Sequence, residues 1–138
     1  LHNLLVQREV LRLKYTASTF GSTADQKEPG LNEKFLESVE RYLEENYRND
    51  RYGIDDLRAD LGVSRIQLHR KLTALTGLSA SNFIRNFRLQ KAKKLVLESD
   101  MHVSDIAYEV GFRDANYFSR SFIREFGLNA TKLREMFI

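Results

Sequence analysis

Two arginines of this 138-residue chain, Arg70 and Arg120, stand at equivalent positions of a repeated sequence pattern. Each follows an apolar residue by two positions, Leu68 in one case and Phe118 in the other. A guanidinium is a planar fork of donors that matches two adjacent acceptors, such as O6 and N7 of guanine. The side-chain amide of Asn116 suits N6 and N7 of adenine. These residue types favour hydrogen bonds to base edges and phosphates over bond-breaking chemistry.

The segments that carry these residues are two copies of one helix-turn-helix pattern. Each copy has a short helix, a tight turn and a longer helix, and the copies cover about residues 54–77 and 103–127. A glycine stands at the turn of each copy, Gly62 in the first and Gly111 in the second. In this layout the exposed face of the longer helix enters the major groove. The sequence therefore predicts two recognition helices that bind successive grooves of double-stranded DNA.

The outward faces of the two longer helices carry the candidate contact residues. Leu68 and Leu72 fall on the inward face of the first helix. Phe118 and Phe122 do the same in the second helix. The predicted DNA-contacting residues are Ser64, Arg65, Ile66, His69 and Arg70 in the first unit, and Arg113, Ala115, Asn116, Tyr117 and Arg120 in the second.

Some of these side chains have an alternative role. Ile66 suits a thymine methyl group, Arg120 suits guanine or a phosphate, and Tyr117 suits a sugar or a phosphate. His69 can donate to a base or a phosphate, or it can be a neutral histidine exposed on a helix. Ser64 is also predicted as a helix N-cap, because Gln67 follows three residues later as in a capping box. Asp114 is predicted as an N-cap and not as a contact.

Charge is distributed unevenly along the chain. The formal net charge is only +3, but no Asp or Glu occurs from Leu61 to Leu97, where eight Lys and Arg residues occur. Residues 31–60 are net acidic. This polarity is typical of a surface for a polyanion, although a solvated helix face that lacks acids fits equally well. Arg88, within the basic stretch, is predicted either to bridge the two units or to bind a phosphate.

The spacing of apolar residues predicts an all-α domain of about seven helices, in which a long central helix joins two helix-turn-helix subdomains. No stretch has the alternation of a strand. The first helix is expected to begin with Asn32 as its N-cap, and glycines at 77 and 127 are expected to end the two longer helices. The remaining helices are predicted at about 54–61, 64–76, 79–99, 103–110, 114–126 and 130–137.

The chain divides into two regions. Residues 1–15 have an amphipathic pattern, and residues 16–30 have the small, polar and turn-forming composition of a linker. We therefore expect residues 1–30 to belong to a preceding domain, and residues 31–138 to form the globular domain. Because the chain begins with Leu1 inside a helical pattern, we interpret it as a fragment of a longer protein.

Several classes of protein do not fit the sequence. Cysteine is absent, and the three histidines, His2, His69 and His102, are not spaced as metal ligands. No glycine-rich phosphate loop or nucleophile elbow occurs, so we expect neither an enzyme nor a cofactor. No apolar stretch has the length of a membrane span, which favours a cytoplasmic protein. A helical protein-interaction module is the main alternative, and RNA binding is a weaker one.

The two helix-turn-helix units resemble the DNA-binding domain of the AraC/XylS family. The matching stretches are L-R-A-D-L-G-V-S-R-I-Q-L-H-R-K-L at 57–72 and I-A-Y-E-V-G-F-R-D-A-N-Y-F-S-R-S-F-I-R-E-F-G at 106–127. The resemblance covers about residues 35–135. It implies a seven-helix, two-lobed domain that binds DNA and usually activates transcription, with base contacts carried over to Ile66, His69 and Arg70.

The chain also departs from the family pattern at helix starts. Family members commonly have proline where this chain has Ala80 and Ala130, and serine where it has Gly53 and His102. Residues 1–15 are similar to the last helix of a receiver domain. This second resemblance implies a two-component response regulator, of the ordinary or hybrid type, with RNA polymerase as a partner and a homodimer formed through the upstream region.

Overall fold

The computed structural model describes residues 30–137, which contain seven helices and no strand. The helices are α1 (Leu31–Asn46), α2 (Ile54–Leu61), α3 (Arg65–Thr76), α4 (Ala80–Glu98), α5 (Val103–Glu109), α6 (Ala115–Phe126) and α7 (Ala130–Met136). The predicted all-α class and the two helix-turn-helix units, α2–α3 and α5–α6, are confirmed. The helix predicted over residues 1–15 and nearly all of the predicted linker lie outside the described residues.

The starts of the two recognition helices, α3 and α6, are fixed by side-chain caps. Ser64 Oγ accepts the N–H of Gln67 at 3.1 Å, and Gln67 Oε1 accepts the N–H of Ser64 at 2.9 Å, so the predicted capping box is present. At α6, the carboxylate of Asp114 accepts the N–H of Asn116 at 2.8 Å. These bonds satisfy backbone donors that a helix start otherwise leaves without partners.

The prediction of Asn32 as the cap of α1 is wrong. The helix begins at Leu31, and Gly30 is its N-cap, with extended backbone and no side-chain hydrogen bond. The carbonyl of Gly30 already accepts the N–H of Lys34 at 3.0 Å, which places the first turn before Asn32. The start of α1 therefore depends on the backbone alone, and no capping side chain marks it.

Glycines end the longer helices as predicted. Gly77 and Gly127 have φ values of 77° and 84°, in the left-handed region that favours glycine. Their N–H groups donate to Thr73 and Ile123 carbonyls at 2.9 and 2.8 Å. Each recognition helix therefore has a fixed length of 12 residues.

Helix α4 lies at the centre of the fold. It packs against α2 and α3, which precede it in the chain, and against α5, α6 and α7, which follow it. Its buried residues include Phe83, Leu89 and Val96, each at most 1% exposed. Because burial of apolar surface supplies most of the folding free energy, this shared core couples both units to one helix.

The inward faces of the recognition helices are as predicted. Leu68, Leu72, Phe118 and Phe122 all have 0% exposure. The second unit has an aromatic core, in which the rings of Phe118 and Phe122 lie 5.6 Å apart in a tilted arrangement. Inward packing of these side chains fixes which face of α3 and α6 is left for solvent.

Candidate nucleic-acid interface

The outward face of α3 presents the predicted residues of the first unit. Ile66 is 65% exposed, and Arg65, His69 and Arg70 are exposed around it. These four side chains line a groove of about 430 Å³ that reaches the start of α4, where Ala80 is also part of the lining. A large apolar side chain at the centre of a cationic, solvent-facing groove can contact an apolar group of a charged partner.

The outward face of α6 presents the predicted residues of the second unit. Asn116 and Arg120 are exposed, Tyr117 is 39% exposed and Ala115 is half-buried. The guanidinium of Arg120 lies 6.0 Å from the centroid of the Tyr117 ring, at the outer limit of a cation–π contact. Amide, guanidinium and phenol groups are thus available on one helical face.

Arg85 of α4 holds Tyr117 in place, a role that sequence reasoning missed. Its Nη1 donates to the Tyr117 hydroxyl at 3.1 Å, and its Nη2 donates to Asn82 Oδ1. Partial burial acts to raise the pKa of Tyr117, but the hydrogen bond and positive charge of Arg85 lower it overall. The only sequence signal was the position of Arg85 in the basic stretch, which carries no information on a partner 32 residues away.

A cleft of about 740 Å³ separates the two units. Both units and α4 contribute to its lining, which we call the inter-unit cleft: Asp50, Arg51, Gly53, Ile54, Asp55, Asp56, Arg65, Ser81, Ile84, Arg85, Arg88, Gly111, Phe112, Arg113, Asp114, Tyr117 and Arg120. The structure therefore brings Arg65, Arg113, Tyr117 and Arg120 to one concave surface. Ile66, His69 and Arg70 line the adjoining groove at α3, which shares Arg65 with the cleft, and Ser64, Ala115 and Asn116 line neither.

Ion pairs engage some of the predicted residues and not others. Arg65 Nη1 lies 3.5 Å from Asp55, and Arg113 Nε lies 3.9 Å from the Asp50 carboxylate. Exposed pairs of this kind contribute little free energy, so an incoming anion can replace them. Within the part of the chain that the structure describes, neither Arg70 nor Arg120 forms an ion pair.

Arg88 joins α4 to the loop between α1 and α2, whereas the sequence predicted a bridge between the two units or a phosphate ligand. Its Nε donates to the carbonyl oxygen of Tyr47, and its Nη2 donates to those of Asn49 and Tyr52, each at 2.9 Å. Burial lowers the pKa of Arg88. With three backbone carbonyls as acceptors, the guanidinium fork is turned toward the protein.

No group of three or more His, Cys, Asp or Glu side chains in residues 30–137 could hold a metal ion. No helix in the same range has the length and apolar character needed to cross a membrane.

Comparison with known proteins identifies relatives of this fold. A family model described as a helix-turn-helix domain matches residues 57–136. The transcriptional activator RhaS of Escherichia coli SE11 is 36% identical over 94 residues, which are 68% of this chain and 34% of RhaS. Histidine kinase P4 of Formosa agariphila is 29% identical over 124 residues, which are 90% of this chain and 9% of the kinase. The chain thus spans about a third or less of these relatives.

Two solved domains illustrate the structures that share this fold. The C-terminal domain of AraT, a response regulator from Geobacillus stearothermophilus, has a TM-score of 0.70 at 21% identity, covering 78% of this chain and 88% of that one. The DNA-binding domain of AdpA, solved with a target DNA, has a TM-score of 0.67 at 25% identity, covering 74% and 90%.

Two bracing helices, two exposed recognition helices and one joining helix define the DNA-binding domain of a transcription regulator. The chain belongs to the helix-turn-helix domain family of the AraC/XylS type, as its repeated motifs indicated.

Proposed function

We propose that this domain reads a specific site on double-stranded DNA by inserting α3 and α6 into successive major grooves. The observation that carries the proposal is that the two helices bury three equivalent pairs of repeat positions and expose Arg70 and Arg120 at a fourth; the buried pairs are Leu68/Phe118, Leu72/Phe122 and Thr76/Phe126. Helix α4 has 19 residues and is therefore about 28 Å long, close to the separation of about 34 Å between successive grooves.

The proposed base contacts follow from side-chain chemistry. Arg70 and Arg120 would each donate two hydrogen bonds to guanine, and Asn116 would pair with adenine. Ile66 would contact a thymine methyl group. Since each is exposed and lies on a recognition helix, none has to leave the core in order to bind.

The other proposed contacts position the protein on the backbone. Arg65 and Arg113 would exchange their carboxylate partners for phosphates, and Ser64 and His69 would donate to phosphate oxygens. Tyr117 would contact a sugar or a phosphate, with Arg85 fixing its hydroxyl. The half-buried Ala115 would let the DNA approach the start of α6 closely.

For the whole protein, we propose an output domain of a two-component regulator, of the ordinary or hybrid type. The similarity to a histidine kinase and to a response-regulator domain supports this proposal. RNA polymerase would be its partner in the cytoplasm, and the upstream region would form a homodimer. Phosphorylation of the full-length protein should then raise its affinity for the site, and an unchanged affinity would count against this assignment.

The DNA-binding proposal is tested by selecting duplexes from a random pool and measuring the salt dependence of the winning site. Two conserved patches about one helical turn apart, bound with a steep salt slope, are the expected result. A single patch would reassign one unit to backbone contact or to a protein partner. No enrichment at low salt by the folded protein would favour the helical protein-interaction alternative.

A further inference from the structure

The loop between α1 and α2, residues 47–53, is where the first unit, the joining helix and the second unit meet. Arg88 of α4 closes this loop onto the joining helix through its three bonds to loop carbonyls. Hydrogen bonds from an ionised donor are shorter and stronger than those between neutral groups. One side chain therefore ties the whole loop to α4, in addition to the apolar packing of α2 and α3 against that helix.

The second unit packs its backbone against the same groups. Gly111, at the turn between α5 and α6, has a φ of 98°. A Cβ at this position would lie 2.0 Å from the Tyr47 carbonyl oxygen and 2.7 Å from Arg88 Nε, closer than the 3.0 Å that real Cβ atoms keep. Only glycine permits this approach, so the two units touch through the loop and Arg88.

Two polar contacts support the same junction from the outside. Arg113 Nε donates to the carbonyl oxygen of Asp50 at 3.2 Å, and Arg48 Nε lies 3.5 Å from Glu109. All four side chains are substantially exposed, so water competes for both contacts. Among the polar contacts of this junction, those of the partly buried Arg88 are therefore the ones that water displaces least.

We propose that Arg88 is a positioning residue that fixes the distance and rotation between α3 and α6, and thereby restricts the domain to one spacing between its two half-sites. This inference rests on the proposed function, because it concerns how the two recognition helices act together. It assigns a spacing specificity to a residue that does not touch DNA.

Spacing is a demanding test of rigidity because DNA is helical. One added base pair moves a half-site by about 3.4 Å and rotates it by about 34° around the duplex axis. A good hydrogen bond tolerates a change in distance of only about half an ångström. A rigid pair of units loses the contacts of one helix under that shift, whereas a flexible pair can follow the displaced half-site.

The experiment compares the selected site with versions that have one base pair added or removed between the half-sites. Binding constants are measured by fluorescence anisotropy for the wild type and for Arg88→Met, which has no donors. The wild type should lose about tenfold or more in affinity for either shifted site, the loss expected for a missing base-reading contact. Arg88→Met should bind the best site more weakly and lose only about threefold on the shifted sites.

Two further variants separate geometry from charge. Lys94→Met also removes one positive charge from α4. Lys94 lies nine residues, or two and a half turns, from Arg85, which lines the inter-unit cleft, so Lys94 is on the opposite side of the helix. Lys94→Met should keep the spacing profile of the wild type, that is, the same loss of affinity for the two shifted sites relative to the selected site. Arg88→Lys keeps the charge but not the fork, so its profile should be intermediate. If Arg88→Met does not fold, Arg88→Lys takes its place.

A measurement without DNA distinguishes failure of this inference from failure of the proposed function. Since the chain has no cysteine, Ala74→Cys on α3 and Ser119→Cys on α6 allow two nitroxide labels at exposed positions. The distribution of distances between the two nitroxide labels should be narrow in the protein with Arg88 and broad in Arg88→Met. A folded Arg88→Met protein with an unchanged distribution would overturn the inference, whether or not the wild type binds DNA, and so would an unchanged spacing profile.

Discussion

At the scale of single residues, the arginines of this domain differ in what surrounds them. Arg88 is held by three backbone carbonyls, whereas Arg70 and Arg120 are exposed on the recognition helices. Arg70→Ala and Arg120→Ala should each weaken specific binding by roughly 1–3 kcal/mol and leave the fold intact, because each removes a bidentate base contact. Anisotropy titrations with the selected site, together with thermal unfolding, check this.

Arg41→Ala is the matched control, since Arg41 is an exposed arginine of α1 that lines neither the inter-unit cleft nor the groove at α3. It should bind as the wild type does. Unchanged affinity in well-folded Arg120→Ala would remove the proposed guanine contact from the second unit.

A second residue-scale prediction concerns pH. Burial, and then the 2.7 Å hydrogen bond to Asp60, raise the pKa of Tyr52 above the ordinary tyrosine value. Below about pH 10 the Tyr52 hydroxyl is protonated in both the folded and the unfolded protein. Above that pH the unfolded protein loses this proton first, so the free energy of unfolding falls as pH rises. Tyr52→Phe should lose about 1 kcal/mol of unfolding free energy at pH 8, and the deficit should shrink above about pH 10.

Urea unfolding followed by circular dichroism at both pH values measures this difference. The control is Tyr108→Phe, which changes a tyrosine that is 55% exposed. A Tyr52→Phe deficit of the same size at pH 8 and above pH 10 would contradict the prediction.

Local residue patterns predicted part of this site, and distant contacts account for the rest. The inward positions of Leu68 and Phe118 follow from helical periodicity, which depends only on nearby residues. The acceptors of Arg88 are loop carbonyls 36 to 41 residues away, and a backbone carbonyl leaves no signature in the sequence. Sequence alone therefore left its two roles open.

At the scale of helices, boundaries with a capping side chain were predictable and the others were not. Ser64 and Asp114 form the predicted caps, because an N-cap oxygen accepts an N–H only two or three residues ahead. The start of α1 has Gly30 as its cap and was misplaced at Asn32. A backbone cap has no characteristic side chain, so an adjacent Asn was the stronger but misleading signal.

The start of α7 offers a prediction at this scale. Ala130 is the first residue of the helix, and Asn129 before it has φ −77° and ψ 163°, the conformation that proline requires in its predecessor. Ala130→Pro should therefore raise the free energy of unfolding by about 0.4–1 kcal/mol, because it restricts the unfolded chain without removing a helical bond.

Chemical denaturation of the wild type and of Ala130→Pro measures the change in the free energy of unfolding. Lys132→Pro is the control, since it removes the N–H that Asn129 Oδ1 accepts at 2.7 Å, and it should destabilise the domain. Ala130 is 4% exposed, so a loss of stability in Ala130→Pro would show that its ring clashes with the core.

At the scale of the whole molecule, charge and shape act together. The acidic residues of 31–60 and the basic stretch of 61–97 belong to one folded domain, in which α1 and α2 carry eight of the nine acids and α3 and α4 carry all eight bases of the basic stretch. Acids in the inter-unit cleft, such as Asp50 and Asp55, pair with Arg113 and Arg65. If Arg65 and Arg113 bind phosphates as proposed, DNA replaces these internal ion pairs as well as bound counterions.

The salt dependence of binding tests this description. If the complex neutralises about six to ten phosphates, affinity for the selected site should fall by about 10³–10⁵-fold between 50 and 200 mM salt.

Arg113→Ala removes one proposed phosphate contact, so it should reduce the slope by about one and weaken matched and random duplexes alike. Arg120→Ala should instead weaken the matched site more than the random one, because it removes a base contact. Equal losses on both duplexes for Arg120→Ala would make its contact a phosphate contact, and an unchanged slope for Arg113→Ala would mean that Arg113 keeps its pairing with Asp50 in the complex.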